Sequence, residues 1–558
     1  MSTIQHNRLE NFIFTMLESK IKRLMVMIIT LLLFVGSIYL IPLEIVKAKM
    51  LPGKDSDTFS IYVDLPEGSS SSKTKQVSKC IAQNLQKENA VTNISIFLGE
   101  GLPLDFAGMV KGSALKEGEN IAEIMVNIQR AQFREEPSFD MIHRIRPLIQ
   151  KECSFYDANI KFIELPAGPP VLADVVAEVY GNENFEKKVQ LAKEIARVFG
   201  QQKTLVDIDI LADEPYTKYT LTLNNNKVLK SGVSLEQVKK ILYLAFEGMV
   251  VGVVNKSTVQ NQIPIFLRLD KSRLFETFNK SDVISKLSNL KLMNTKGLMI
   301  PLSEFVTLHE RLQEPTLTSK NLNHMINVIA QTDMESQIYP LLDARKAILE
   351  NFTEVYEINK TDMLNLSLKD KKSGEVFSIK FDGELKVTID TFIELGAAFI
   401  GALVLIFLLM VVYYKNFSLA GAIVLSSFIS IIGVILGHLV MDMITTNTFY
   451  LTATSLIGFI ALIGINSRNS LLIIDFAKQI MDEKGLSATR AIAIATATRA
   501  KPILLTVLAI VFASSLLASD AVFGGLGVAL IGGTIIAYFV SLLFVPVTIL
   551  GSLQKLEP

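Results

Sequence analysis

Six stretches of the chain stay apolar for about the length a bilayer demands, roughly 20 residues at about 1.5 Å each. They are residues 24–41, 392–414, 419–441, about 450–474, 502–519 and about 523–549. The first is too long for the apolar core of a signal peptide and lacks a small-residue cleavage site, so a retained span is expected there. Lys and Arg flank the spans unevenly. Arg8, Lys20, Lys22 and Arg23 precede the first, Lys415 follows the second, and Lys478, Lys484, Arg490, Arg499 and Lys501 lie between the fourth and fifth. The loops 442–449 and 520–522 carry none. The positive-inside rule then places both termini in the cytoplasm and the long stretch 43–390 outside.

That long stretch alternates between two periods. Residues 57–65 and 91–98 alternate as strands, 71–87 carries an apolar helical stripe, 120–129 is a strand, 138–151 a helix capped by Ser138, and 160–164 a strand. The order β-α-β-β-α-β predicts a ferredoxin-like unit. A second unit starts near residue 172, with a helix over 184–199 and a strand over 205–211. It resumes at 325–331 after an interruption bounded by Glu214-Pro215 and Glu314-Pro315. The expected fold is an α-helical membrane protein with six transmembrane helices and a large external α+β domain, which the family resemblance given below makes periplasmic.

Composition narrows the class. The 558 residues are 50% hydrophobic yet 20% charged, with a mean hydropathy of +0.38. Apolar residues must therefore be segregated into spans. Lys+Arg 55 against Asp+Glu 55 leaves no basic excess for nucleic acid. Two cysteines exclude a disulfide scaffold. Cys80 and Cys153 fall on the two helices of the first unit, and spacing alone favours free buried thiols over a bond between them. No Walker loop, His-Glu helix pair or Ser/His/Asp set supports an enzyme.

Several motifs in order resemble the resistance–nodulation–division (RND) permeases, in particular the C-terminal half of a hydrophobe/amphiphile efflux permease. They are Lys49-Met50-Leu51-Pro52 before IYVDLPEGSS, Gly168-Pro169-Pro170-Val171 before AEVYG, IGINSRNSLLIIDFAKQ (463–479), RAKPILLT (499–506) and Phe544-Val545-Pro546-Val547. Full members of that family have two homologous six-span halves. The resemblance implies a cytoplasmic N-terminal segment at 1–23, a transmembrane helix at 24–42 and porter subdomains at 43–170 and at 171–212 plus 321–388. It also implies a docking insertion at 213–320, membrane helices over 389–550 and a cytoplasmic tail at 551–558. It further implies a proton antiporter in the bacterial inner membrane, driven by the proton-motive force with no cofactor. The implied partners are an N-terminal-half RND subunit, a periplasmic adaptor and an outer-membrane channel, in a trimer of paired halves. A heavy-metal RND exporter and a non-transporting, SecDF-like membrane factor are the alternatives.

Charge inside a membrane costs a few kcal/mol and needs a reason. Arg468 sits within the fourth span between Ser467, Asn469 and Ser470. The family usually has Lys there, paired with acids on the other half. Arg keeps the cation but gives up easy deprotonation; a snorkelling Arg is the competing reading. Arg499 and Thr506 match family relay positions and share a helix face, although a flanking cation and a back-bonded hydroxyl would look the same. Asp475 reads as a helix-end carboxylate. Glu394 and Asp475 are the nearest approaches to an intramembrane acid, and neither is central. The expectation is that acids come from a partner half. His438 reads as a hydrogen-bonded helix histidine. The Met residues, Met109, Met125 and Met141 among them, show no metal motif. In the Gly-rich loop 99–112, Phe97, Phe106, Gly108 and Met109 are candidate contacts for an apolar substrate, with a plain surface loop as the alternative.

Overall fold

The computed structural model describes residues 8–103, 106–113, 116–164, 168, 171–181, 184–260, 262–269 and 280–557. The Pro169-Pro170 junction and the side chain of Phe106 lie outside the described residues.

Two helices open the chain, α1 (Arg8–Glu18) and α2 (Lys20–Tyr39), separated by Ser19, whose Oγ accepts from Lys22 N at 3.4 Å. The first α+β layer comprises β1 (Thr58–Asp64), α3 (Ser71–Leu85), β2 (Val91–Glu100), α4 (Phe106–Lys111), β3 (Glu117–Ile128), α5 (Ser138–Cys153) and β4 (Asn159–Glu164). Its strands form one antiparallel sheet in the order β2-β3-β1-β4. Alternation explains the buried face: Phe59, Ile61 and Val63 of β1 point inward, against Val77, Ile81 and Leu85 of α3 and Met141, Ile145 and Ile149 of α5.

Three details depart from expectation. The Gly-rich loop contains a helical turn, α4. Ser138 is the first helical residue of α5 and not its cap. Its N–H is satisfied by Asp55 Oδ1 at 2.8 Å, and its Oγ accepts from Ser56 N at 2.9 Å. The third correction concerns the cysteines. Cys80 and Cys153 form a disulfide with their Cα atoms 5.8 Å apart. The pairing follows from α3 and α5 lying side by side on one sheet face, a distance that sequence spacing cannot show.

A second layer begins with β5 (Val175–Tyr180), α6 (Phe185–Gly200) and β6 (Leu205–Leu211). Residues Asp213–Thr316 then form a separate compact unit. It holds β7 (Thr217–Leu223), α7 (Asn225–Ser231), α8 (Leu235–Phe246), β8 (Met249–Val254), β9 (Ile263–Leu267), α9 (Lys280–Asn289), β10 (Lys291–Met293), β11 (Met299–Pro301) and β12 (Val306–Leu312). Its core is built from Val228, Val238, Val283, Leu287, Leu302 and Phe305. The second layer resumes with β13 (Thr318–Lys320), β14 (Asn323–Thr332), α10 (Ile338–Asn351), β15 (Tyr356–Lys360), β16 (Leu366–Asp370) and β17 (Val376–Asp382). Its sheet runs β13-β14-β5-β17-β16-β15, with β6 also on β14. The strands β6, β14, β5 and β17 repeat the antiparallel order of the first sheet. The two sheets meet at β4 and β6, where Phe162 N donates to Asp207 Oδ2 at 2.9 Å and Lys161 pairs with both Asp64 and Asp209.

Among the described residues, six helical stretches are long and apolar enough to cross a membrane. After α2 they are α11 (Glu384–Tyr414), then α12 (Phe417–Ile429) with α13 (Ile431–Ile444), α14 (Ala453–Lys484) and α15 (Ala488–Ala518). The last is α16 (Gly524–Phe539) with α17 (Val545–Gln554), joined by a π-helical turn at Val540–Phe544. The helices outrun the apolar windows. α14 continues to Lys484 and α15 begins at Ala488, so Lys478, Arg490 and Arg499 lie on helices and not in a loop. Pro502 is inside α15 and not at its start. The third span is broken at Ser430, between α12 and α13. A Cβ on Gly433 would lie 2.2 Å from Gly532 O, so only glycine permits the close approach of α13 and α16.

Candidate functional site

The membrane site is organised by α14. Its start is a reciprocal cap: Thr452 Oγ1 accepts from Ser455 N, and Ser455 Oγ from Thr452 N. His438 of α13 reaches the same cap and is fully buried. Its Nδ1 lies 2.8 Å from Val434 O and its Nε2 2.8 Å from Ser455 Oγ. A carbonyl only accepts, so Nδ1 carries the proton and Nε2 accepts from the serine. The histidine is a helix-packing element, and its ring nitrogens are both occupied.

Further along α14, one side is polar and buried. Ser467 Oγ lies 3.1 Å from Ser427 Oγ, and Ser470 Oγ lies 3.0 Å from Ser426 Oγ. Asn466 Nδ2 donates to Ser426 O at 2.6 Å. The other side is open: Ile457, Ala461, Gly464 and Arg468 are exposed at helical spacing. The guanidinium of Arg468 makes no hydrogen bond or ion pair among the described residues. Asn469 is 2% exposed, and its Nδ2 has no partner among the described residues.

The remaining relay candidates are not gathered around Arg468. Arg499 stacks on Phe476, with Cζ 4.7 Å from the ring centre, and its buried Nε is unpartnered among the described residues. Thr506 Oγ1 donates to Pro502 O at 3.1 Å within its own helix. Asp475 accepts from Tyr414 Oη at 2.7 Å and from Tyr413 Oη at 3.3 Å, so it is tied to the end of α11. Glu394 is exposed on α11. Sequence pattern did not single out Asn466, Ser426, Ser427 or Ser541. The available signal was a polar residue inside an apolar window.

A charged cavity of about 80 Å³ lies between the two sheets at the head of α11. Lys49, Lys111, Arg146, Glu164, Asp174 and Glu384 are among its lining. Burial pushes the Glu164 carboxyl up to about 7, against the nearby Arg146. Burial also lowers Lys111 despite Asp174 and Glu384. The α4 segment contributes Lys111 to this cavity. Phe97, half-buried on β2, Gly108, buried on α4, and Met109, 52% exposed, are not part of its described lining.

Among the described residues, six apolar helices and two sheet layers of repeated topology define a multi-pass membrane protein with a large α+β part. Residues 1–550 match the sequence model of the AcrB/AcrD/AcrF family, and the chain belongs to that family of RND permeases. It is 22% identical over 553 residues to the swarming motility protein SwrC of Bacillus subtilis (strain 168), covering 95% of this chain and 46% of that protein. It is 21% identical over 521 residues to the multidrug export protein AcrF of Escherichia coli (strain K12), covering 90% and 45%. A crystal structure of a heavy metal efflux pump shares the fold, with a TM-score of 0.71 at 18% identity over 98% of this chain and 51% of that one. The chain thus spans about half the length of the curated relatives it matches.

Proposed function

We propose that this chain acts as one six-span half of a proton-driven RND efflux transporter, with Arg468 as the membrane counter-charge to acids on another six-span half. The carrying observation is that Arg468 faces away from its own bundle, beside Ala461 and Gly464, with no carboxylate partner among the described residues. Small residues beside a cation suit a close helix contact that brings an acid to it. When those acids are ionised, the guanidinium pairs with them; when they are protonated, it is released. A membrane potential of 100 mV supplies about 2.3 kcal/mol per charge, a bias on the rocking of two halves. In this reading Asn469, Arg499 and Thr506 must leave their present contacts to reach the acids, and Asp475 braces α14 against the end of α11.

The two βαββαβ layers are read as ferredoxin-like porter subdomains in the periplasm, and Asp213–Thr316 as the docking subdomain toward an outer-membrane channel. A periplasmic adaptor completes the path, in a trimer of paired halves. The charged cavity and the α4 segment lie on the proposed path for small amphiphiles.

A photo-crosslinker at position 461, with 462 as the buried control, tests this in native membranes. The expected product joins 461 to a six-span half that carries intramembrane acids, on a separate polypeptide or a joined one. Adducts to lipid or to non-RND proteins alone would count against the reading and favour a SecDF-like factor.

A further inference from the structure

Three irregular points of the membrane bundle meet at one side chain. The first is the break at Ser430. There Ser430 N turns to Ser427 O at 3.3 Å, three residues back, so the carbonyl of Ser426 gives up its usual partner four residues on. The second is the π-helical turn Val540–Phe544, which presents Ser541 to the interior. The third is Asn466, fully buried in α14. Its Nδ2 donates to the released Ser426 O at 2.6 Å, and its Oδ1 accepts from Ser541 Oγ at 3.3 Å. One amide therefore satisfies the carbonyl that the break at Ser430 releases and the buried hydroxyl of Ser541 on the π turn, in a low-dielectric interior where unpaired groups are costly.

The contacts on either side are oriented the same way. Ser467 meets Ser427 and Ser470 meets Ser426. At about 100° per residue, position 468 lies about 200° around from 466. A helix pinned through 466, 467 and 470 must point 468 away from the pins. We propose that Asn466 is a positioning residue, holding the rotation of α14 about its axis so that Arg468 faces outward. The meaning of that orientation for transport rests on the counter-charge reading above; the geometry itself does not.

The experiment is a distance measurement by pulsed electron spin resonance on the full chain in lipid nanodiscs. Nitroxide labels are placed at Arg468→Cys and at Leu516→Cys, an 84% exposed site on α15. Cys80 and Cys153 are bonded to each other and take no label. With Asn466 present, one narrow distance is expected. With Asn466→Leu the distance shifts or splits by on the order of 3 Å or more, as a roll of a third of a residue step moves a side-chain tip on a helix about 10 Å wide. Asn466→Gln, which keeps both polar groups, restores the narrow distance. If Asn466→Leu fails to insert, Ser541→Ala combined with Asn466→Ser removes the same pair of bonds and is expected to give the same shift. A merely destabilising change lowers the thermal midpoint and leaves the distance alone. An unchanged distance in the well-folded variant overturns the proposal. Because Arg468 is replaced by the label, this result is independent of whether its charge serves transport.

Discussion

Arg146 Nη1 donates to Asp333 Oδ1 at 2.6 Å, tying the helix of the first sheet layer to the end of a central strand in the second. The same guanidinium lies 3.3 Å from the carboxylate of Asp207, whose side chain is 0% exposed. Arg146→Leu leaves the buried Asp207 carboxylate without its ion-pair partner and Asp333 with His143 alone, at 2.7 Å. Breaking one partner out of such a buried set costs about 3–5 kcal/mol. A clearly lower thermal midpoint of the purified chain is expected, with faster hydrogen exchange in β4 and β6.

The disulfide between Cys80 and Cys153 closes a loop across 73 positions. Its removal by Cys80→Ser and Cys153→Ser is expected to cost about 2–4 kcal/mol. Read by hydrogen exchange, α3 and α5 then open roughly 30- to 1,000-fold more often, while the membrane helices are unchanged.

Glu164 gives a signed pH dependence. Burial holds its carboxyl at about 7, above the ordinary value of 4.5. The folded chain therefore binds this proton more tightly than the unfolded chain. Its contribution to stability is fully present below pH 4.5 and is lost as pH rises through 7. Glu164→Gln removes that slope. Thermal midpoints measured from pH 4 to pH 8 are expected to fall more steeply for the parent than for the variant.

Much of this architecture was legible in the chain. The six apolar windows, the alternation in β1 and the stripe of α3 each follow from elementary periodicity. Helix ends were not, because Lys478 and Arg490 lie on α14 and α15 beyond their apolar windows, where hydropathy carries no signal. The break at Ser430 and the π turn at Ser541 were invisible for a different reason. Each is defined by which carbonyl a backbone N–H chooses, and a serine in an apolar run fits either choice. The Cys80–Cys153 bond needed a distance. At the membrane site, the cation Arg468 could be read from its residue type, whereas the direction it faces depends on Asn466, Ser467 and Ser470 contacting other helices.

The counter-charge role of Arg468 is tested most directly by ethidium efflux from cells that carry the assembled transporter, with this chain as Arg468→Ala, Arg468→Lys or Arg468→Glu. Equal expression and membrane insertion are checked alongside. Loss of efflux by at least about tenfold is expected for Ala and Glu, equivalent to about 1.4 kcal/mol or more of coupling, with substantial recovery for Lys, which keeps the charge. Efflux that is equal in the parent and in Arg468→Ala would contradict the role assigned to this residue.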